Sequence, residues 1–219
     1  MFPLADINRP LRPPLVVKLL VALNVLVFAY ELLLTPPARQ ALFGAYGFVP
    51  AQFWADPLGK GYQLFTSQFL HGGWAHILGN MWFLWVFGDN VEDRLGSGRF
   101  TLFYLLGGAL AALAQGIYGP NVNAPMIGAS GAISAVMGAY VIMFPQARIL
   151  TLLWLIVVPL FFYLPAYVYL GYWALVQFVS GLFGGSHVAF WAHLGGFGWG
   201  LAAMHTRAFG PTLPPWRKA

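Results

Sequence analysis

Long apolar stretches separated by short polar segments dominate the chain. A helix needs about 20 apolar residues to cross a hydrocarbon core roughly 30 Å thick. The pattern predicts membrane spans at residues 15–34, 74–87, 100–118, 131–144 and 189–204, and one longer apolar zone at residues 149–179. The second and fourth stretches correspond to helices only about 21 Å long at 1.5 Å per residue. We therefore expect both to begin below the membrane surface, after non-helical backbone that is buried in protein or lines a wet cavity.

The apolar zone at residues 149–179 is long enough for two short spans or for one span with a lead-in. Pro159 and Pro165 interrupt it, and a proline removes a helix hydrogen bond. Two spans here would place the C-terminal basic residues outside, although basic residues normally stay in cytoplasmic loops. We therefore expect one span at about residues 165–179, preceded by an apolar interfacial or re-entrant segment. The predicted fold is all-helical, with six transmembrane helices.

The basic residues predict that both ends of the chain are cytoplasmic. Of the 11 lysines and arginines, only Arg39 and Lys60 would lie outside in a six-span arrangement. The chain then divides into a cytoplasmic N-terminal segment, a membrane domain and a cytoplasmic tail, at residues 1–14, 15–206 and 207–219. Many aromatic residues occur in the loop at residues 35–73, and because they favour the headgroup level, we expect this loop to be partly embedded.

Composition supports a membrane protein and excludes several other classes. Hydrophobic residues make up 59% of the chain and charged residues 8%, whereas charged residues are about 25% of a soluble domain. The net charge of +5 is spread between apolar segments, so nucleic-acid binding, which needs a basic cluster, is not predicted. The chain has no cysteine, which excludes disulfides, thiolate metal sites and a cysteine nucleophile.

Rare polar residues occur near the outer ends of three predicted spans. His76 and Asn80 lie in "HGGWAHILGN", Ser130 lies in "GASGAIS", and His193 lies in "AFWAHLGGFGWG". In the six-span arrangement the second, fourth and sixth spans all begin at the outer face, so these side chains share one leaflet. Polar and ionisable residues inside a membrane are costly and indicate a functional site.

These residue types indicate nucleophilic catalysis. A serine hydroxyl becomes a strong nucleophile when a base, usually histidine, takes its proton, so Ser130 and His193 are the candidate catalytic pair. The last acidic residue is Asp93, in a predicted cytoplasmic loop, so the pair has no carboxylate with which to form a triad. Four glycines would shape the site by letting the helices approach closely: Gly128, Gly131, Gly196 and Gly200.

The oxyanion that develops in such a reaction needs hydrogen-bond donors. His76 and Asn80 are four residues apart and therefore share a helix face, and the Ser130 backbone N–H lies at a helix start. Two plainer alternatives stay open: Ser130 could bond only its helix backbone, and His76 with Asn80 could tether the preceding loop. His71 and His187 receive no role. Neither a metal site nor a cofactor is predicted, because no ligand motif such as H-E-x-x-H occurs.

At these residues the sequence resembles the rhomboid family of intramembrane serine proteases. The matching segments are "TSQFLHGGWAHILGNMWFLWVFGDNVEDRLG", "GASGAISAVMGAY" and "AHLGGFGWG", in the family's order and over most of residues 62–200. The resemblance implies six helices around a water-accessible cavity that opens to the extracytoplasmic side. It implies that Ser130 is the nucleophile and His193 the general base. It places His76, Asn80 and the Ser130 backbone N–H around the oxyanion.

The resemblance also implies the substrates and the location. The substrates would be single-span membrane proteins, cut in or beside their transmembrane segment within the lipid bilayer of a bacterial plasma membrane. Family members often admit substrate between the second and fifth helices, where Trp173 and Gln177 are candidate gate residues. Some members carry a Trp-Arg dipeptide before the second helix, which occurs here only at Trp216-Arg217. The alternative function is that of a non-catalytic relative that binds membrane clients; such relatives typically lose the serine or the histidine, and this chain keeps both.

Overall fold

The computed structural model of the chain describes residues 1–183 and 188–210. His187 and the predicted tail beyond residue 210, with its Trp216-Arg217 dipeptide, lie outside the described residues. In chain order the described elements are β1 (Phe2–Asp6), α1 (Leu15–Leu33), α2 (Pro36–Tyr46), α3 (Pro50–Ala55), α4 (Pro57–Lys60), α5 (Gln63–Thr66), a 3-10 turn (Ser67–Phe69), α6 (Trp74–Leu95), α7 (Ser97–Tyr118), α8 (Ser130–Met143), β2 (Arg148–Leu155), β3 (Val158–Pro165), α9 (Ala166–Phe183) and α10 (Phe190–Ala203).

The structure is mostly helical, and among the described residues three helices suit a membrane by length and composition. These are α1, α7 and α9, each at least 18 residues long and strongly apolar. α6 is also long, with 22 residues, whereas α8 and α10 have 14 residues each. α8 packs most extensively against α10 and also contacts α6 and α7, and nearly all of its side chains are buried. The short α8 is therefore enclosed by α6, α7 and the equally short α10, and a long non-helical segment precedes it.

α6 is longer than the sequence indicates. The predicted span ends at residue 87 and a turn follows, but the helix continues to Leu95, so that prediction is wrong. The extension brings Glu92 to the first turn of α1, where its two carboxylate oxygens accept hydrogen bonds from two backbone N–H groups at 2.9 Å. A helix N-terminus has unpaired N–H donors and a partial positive charge, both of which favour a carboxylate. The turn to α7 is confined to Gly96, whose φ of 76° suits glycine.

A small antiparallel sheet replaces part of the expected helical fold. β2 pairs with β3 as a hairpin, and β1 adds to the other side of β2. The all-helical expectation is therefore wrong at residues 2–6 and 148–165, although a single helix, α9, follows the hairpin. A short continuous apolar run suits a buried strand as well as a helix, so periodicity does not separate them. Pro159 and Pro165 lie in β3, an edge strand in which a missing N–H is tolerated.

The segment between α1 and α6 folds as a packed layer on the helices. It contains α2 to α5 and the 3-10 turn. Phe48 and Phe53 are buried beside Ala112 of α7 and form a small apolar cluster of their own. This segment, which the sequence predicts to be partly embedded, is thus anchored on α7 by aromatic side chains.

Candidate active site

Ser130 is the first residue of α8 and follows a turn that is fixed by Gly128. The Gly128 backbone N–H donates to the Ser67 carbonyl oxygen at 2.9 Å. Gly128 has a φ of 119°, which side-chain-bearing residues rarely adopt, and a Cβ there would collide with the His76 ring. Ser130 therefore presents its hydroxyl and its backbone N–H at a helix N-terminus, where the first N–H groups have no intrahelical partner.

His193 lies in the first turn of α10 and faces Ser130. Its Nε2 is 2.9 Å from Ser130 Oγ, a distance at which an imidazole can take the hydroxyl proton. Ser134, one turn further along α8, has the plainer arrangement, since its hydroxyl donates to the Ser130 carbonyl oxygen at 2.7 Å. The structure thus brings together the two residues that the sequence selects as nucleophile and base.

Backbone contact between α8 and α10 makes this distance possible. A Cβ on Gly196 would overlap the carbonyl oxygen of Gly131, and a Cβ on Gly200 would overlap that of Ala135. Gly131 also faces Ala111 of α7, whose Cβ leaves no room for a side chain. The small residues therefore let three helices meet at backbone distance, as the small-residue spacing predicts.

The second ring nitrogen of His193 has a partner on α9. Gln177 Oε1 lies 2.7 Å from His193 Nδ1, and the Gln177 side chain is buried. The Trp173 ring, one turn earlier on α9, lies 5.9 Å from the His193 ring at an interplanar angle of 37°. Both residues, which the sequence predicts to lie at a substrate gate, are therefore in contact with the histidine. Their gate role stays a prediction.

His76 and Asn80 line the same cavity as Ser130 and His193. A Cβ built on Gly128 would meet His76 Nε2 and come within van der Waals distance of Asn80 Nδ2. Both side chains therefore reach the backbone that leads into Ser130, where donors to an oxyanion would have to lie.

A layer of buried polar groups behind His76 and Asn80 is not apparent from the sequence. Asn80 Nδ2 lies 3.0 Å from His71 Nε2, so His71 contacts the site although the sequence assigns it no role. The His71 backbone N–H donates to both carboxylate oxygens of Glu31, at 3.1 and 3.3 Å. Both residues are 1% exposed. The position of Glu31 inside an apolar span is the sequence feature that could have indicated this layer. Its partner, however, is the backbone N–H of His71, and the sequence does not reveal such a contact.

The site opens into a cavity of about 740 Å³ that is lined mainly by α6, α8, α9, α10 and the segment at residues 120–127 before α8. Binding pockets for small molecules typically measure about 300–1,000 Å³. A hydroxyl, an imidazole and amide donors that converge on such a cavity can carry out acyl transfer at a carbonyl carbon. Within residues 1–183 and 188–210, no group of three or more His, Cys, Asp or Glu side chains could hold a metal ion.

Comparison with known proteins relates the chain to rhomboid proteins. Residues 58–208 match the family model described as "Rhomboid domain". The chain is 42% identical over 81 residues to the Rhomboid protease GluP of Bacillus subtilis, which is 37% of this chain and 15% of GluP. It is 31% identical over 122 residues to the Putative rhomboid protease YdcA of Bacillus subtilis, covering 48% of this chain and 59% of YdcA.

A third relative is the mitochondrial Presenilin-associated rhomboid-like protein of Homo sapiens, 31% identical over 139 residues, covering 59% of this chain and 33% of that protein. The chain thus spans less than two thirds of the length of each of these three relatives.

The family match covers more than half of the chain and includes Ser130, His193, His76, Asn80, Trp173 and Gln177. Three of the described helices, α1, α7 and α9, are long and apolar enough to cross a bilayer. The chain is therefore an integral membrane protein that belongs to the rhomboid family.

Proposed function

We propose that the protein is a serine endopeptidase that cleaves transmembrane segments of other membrane proteins. The observation that carries the proposal is the 2.9 Å distance from Ser130 Oγ to His193 Nε2 at the wall of a cavity within the helical bundle. Two relatives that are named as rhomboid proteases support the reaction class.

In the proposed reaction, Ser130 Oγ attacks the carbonyl carbon of the scissile peptide bond while its proton moves to His193 Nε2. The tetrahedral oxyanion accepts hydrogen bonds from the Ser130 backbone N–H and from His76 and Asn80. The C–N bond then breaks, the leaving amine takes the proton from His193, and an acyl ester on Ser130 remains. Water attacks this ester, gives one proton to His193, and the carboxylic acid leaves as the Ser130 oxygen takes that proton back.

The proposal includes an orientation in the membrane. α1 and α6 to α10 would form six membrane-spanning helices, both ends of the chain would be cytoplasmic, and the cavity would open to the extracytoplasmic side of a bacterial plasma membrane. The excess of basic residues on the proposed cytoplasmic side supports this orientation.

The proposed substrates are single-span membrane proteins. Attack on a peptide carbonyl needs extended backbone in the site, so substrate segments whose helix unwinds easily should be cut preferentially. Trp173 and Gln177 would border a lateral route between α6 and α9, by which such a segment reaches Ser130.

An activity-based fluorophosphonate probe tests the proposal before any substrate is known. We expect the detergent-solubilised wild type to be labelled, because the probe reacts with an activated serine, and we expect Ser130→Ala and His193→Ala to remain unlabelled. Labelling that survives Ser130→Ala would mean that another serine reacts. A folded wild type without labelling would favour the alternative function, binding of membrane clients without cleavage.

A further inference from the structure

We infer that Gln177 is a positioning residue for His193 and occupies the place that a carboxylate holds in a Ser–His–Asp triad. The inference rests on the proposed function, because it assigns a role in the same site. The positions of the acidic residues along the chain suggest that Ser130 and His193 form a pair without a third member. The structure instead gives the histidine a neutral third partner.

The three side chains are joined by two short polar contacts, one at each ring nitrogen of His193. His193 Nε2 is 2.9 Å from Ser130 Oγ, and His193 Nδ1 is 2.7 Å from Gln177 Oε1. An amide oxygen only accepts hydrogen bonds, so His193 donates through Nδ1–H. A neutral imidazole that carries its proton on Nδ1 has a free electron pair on Nε2, which can then accept the Ser130 proton. Gln177 therefore selects the tautomer that the reaction needs.

The environment of Gln177 explains why an amide serves here. α9 carries no Asp, Glu, Lys or Arg along its 18 residues, and many of its other side chains are exposed apolar groups. A carboxylate at this position would be a buried charge within a membrane helix, which is costly without a partner. The Gln177 amide is uncharged, and its oxygen accepts the same hydrogen bond from His193. It stabilises the imidazolium less than a carboxylate would.

Packing holds the histidine against the amide throughout the reaction. Trp173 contacts the His193 ring, and its own ring lies 5.8 Å from the ring of Phe197, one turn further along α10. When Nε2 takes the Ser130 proton, the Nδ1–H bond to Gln177 is kept, so the ring need not turn. Gln177 thus acts through His193 and touches neither the nucleophile nor the scissile bond.

Two substitutions of nearly equal volume separate this role from a packing role. Gln177→Met keeps the length of the side chain and removes the acceptor, whereas Gln177→Glu keeps an acceptor oxygen. Leu175→Met is the matched control, because Leu175 lies on the same helix and is 58% exposed. For each variant, kcat and KM are measured on a single-span test substrate, the rate of fluorophosphonate labelling is measured from pH 5 to pH 9, and thermal unfolding in detergent checks the fold.

We expect Gln177→Met to lower kcat about 10- to 100-fold, as loss of one hydrogen bond to a charged group would, with KM changed less than about twofold. Labelling should slow in parallel. Gln177→Glu should retain most of the activity and move the acid limb of the pH profile to higher pH, because a carboxylate stabilises the imidazolium. Leu175→Met should behave as the wild type.

Several results would overturn the inference. A folded Gln177→Met with wild-type kcat and labelling rate would show that the hydrogen bond has no catalytic role, and a change confined to KM would assign Gln177 to the gate. If Gln177→Met does not fold, the pH dependence of labelling of Gln177→Glu is compared with that of the wild type. Identical profiles would overturn the inference. A wild type that neither cleaves nor is labelled would instead be a failure of the proposed function, and the inference would fall with it.

Discussion

Asn80 joins the cavity to the buried groups behind it. Its side chain is 7% exposed, lines the cavity beside Ser130, and contacts His71 on the far side. As a donor to the oxyanion it should matter in the transition state more than in substrate binding. We expect Asn80→Ala to lower kcat by about 10²–10³, the usual effect of removing one such donor, with a smaller change in KM.

The matched control for Asn80→Ala is Leu78→Ala, on the same helix at a side chain that is 63% exposed. The kcat and KM of both variants are measured on the same substrate and compared. Equal kcat values for the two variants would remove Asn80 from the oxyanion site and leave it the plainer role of a tether to His71.

At the residue scale, the sequence predicts a site residue well when its burial in an apolar segment is costly and its partner is a side chain. Ser130 and His193 meet both conditions, and the structure places them in contact. Gln177 is predicted as a gate residue from the family resemblance, but its histidine partner depends on how α9 and α10 pack. Glu31 accepts a hydrogen bond from a backbone N–H, and no pattern of residue types predicts such a partner.

At the scale of elements, the contact between α8 and α10 sets the geometry of the site. We expect Gly196→Ala to destabilise the protein by about 1–3 kcal/mol, as overpacking does, and to slow cleavage, because the new Cβ would overlap the Gly131 carbonyl oxygen and push Ser130 away from His193.

Gly198→Ala is the control on the same helix, because nothing lies within 4 Å of a Cβ at that position. Thermal unfolding in detergent and the rate of fluorophosphonate labelling compare the two variants. If both alanines were tolerated equally, the backbone contact would not determine the position of the histidine.

The sheet adds a pH-dependent contact on the side of the molecule opposite the α8 N-terminus. Asp6 in β1 accepts hydrogen bonds from the Tyr140 hydroxyl and from Asn90 Nδ2, and burial, together with nearby Asp89, raises the pKa of Asp6 to about 7. An unfolded aspartate has a pKa of about 3.9. Between these values the folded protein keeps a proton that the unfolded chain has lost. The free energy of unfolding therefore falls as the pH rises from about 4 to about 7.

Comparison with Asp6→Asn isolates this contribution, because asparagine keeps an acceptor oxygen and does not titrate. We expect the Tm of the wild type in detergent, relative to that of Asp6→Asn, to decrease between pH 4 and pH 7.5. A constant difference over this range would show that Asp6 titrates as an exposed carboxyl group.

The three strands of the sheet are the elements that the sequence does not predict. β2 and β3 are apolar on both faces, so they lack the alternation that marks a half-buried strand. β1 lies more than 140 residues before its partner β2, and pairing over such a separation leaves no local signal. The membrane helices are predicted more reliably, because a span must be apolar over many consecutive residues.

At the scale of the whole molecule, orientation in the membrane can be tested directly because the chain has no cysteine. Leu58 in α4 is 98% exposed on the proposed extracytoplasmic side, and Arg12 is exposed on the proposed cytoplasmic side. In intact cells we expect a membrane-impermeant maleimide to label Leu58→Cys and not Arg12→Cys, and we expect both to react after the cells are opened. The opposite pattern would invert the topology.

The position of the cavity within the helical bundle underlies the proposed function. Ser130, His193 and Asn80 come from three different helices. α8 and α10 pack at backbone distance, and Asn80 lines the same cavity from α6. Under the proposed function, a substrate segment would enter the bundle in extended form to reach Ser130. The proposed activity is cleavage of a membrane-spanning substrate by Ser130.

The most direct measurement reconstitutes the protein with a single-span test substrate in liposomes and identifies the products by mass spectrometry. We expect a defined cut in or beside the transmembrane segment of the substrate with the wild type, and an intact substrate with Ser130→Ala and with His193→Ala. A cut of unchanged position and rate with Ser130→Ala, or an intact substrate with a wild type that fluorophosphonate labels, would rule out the proposed function.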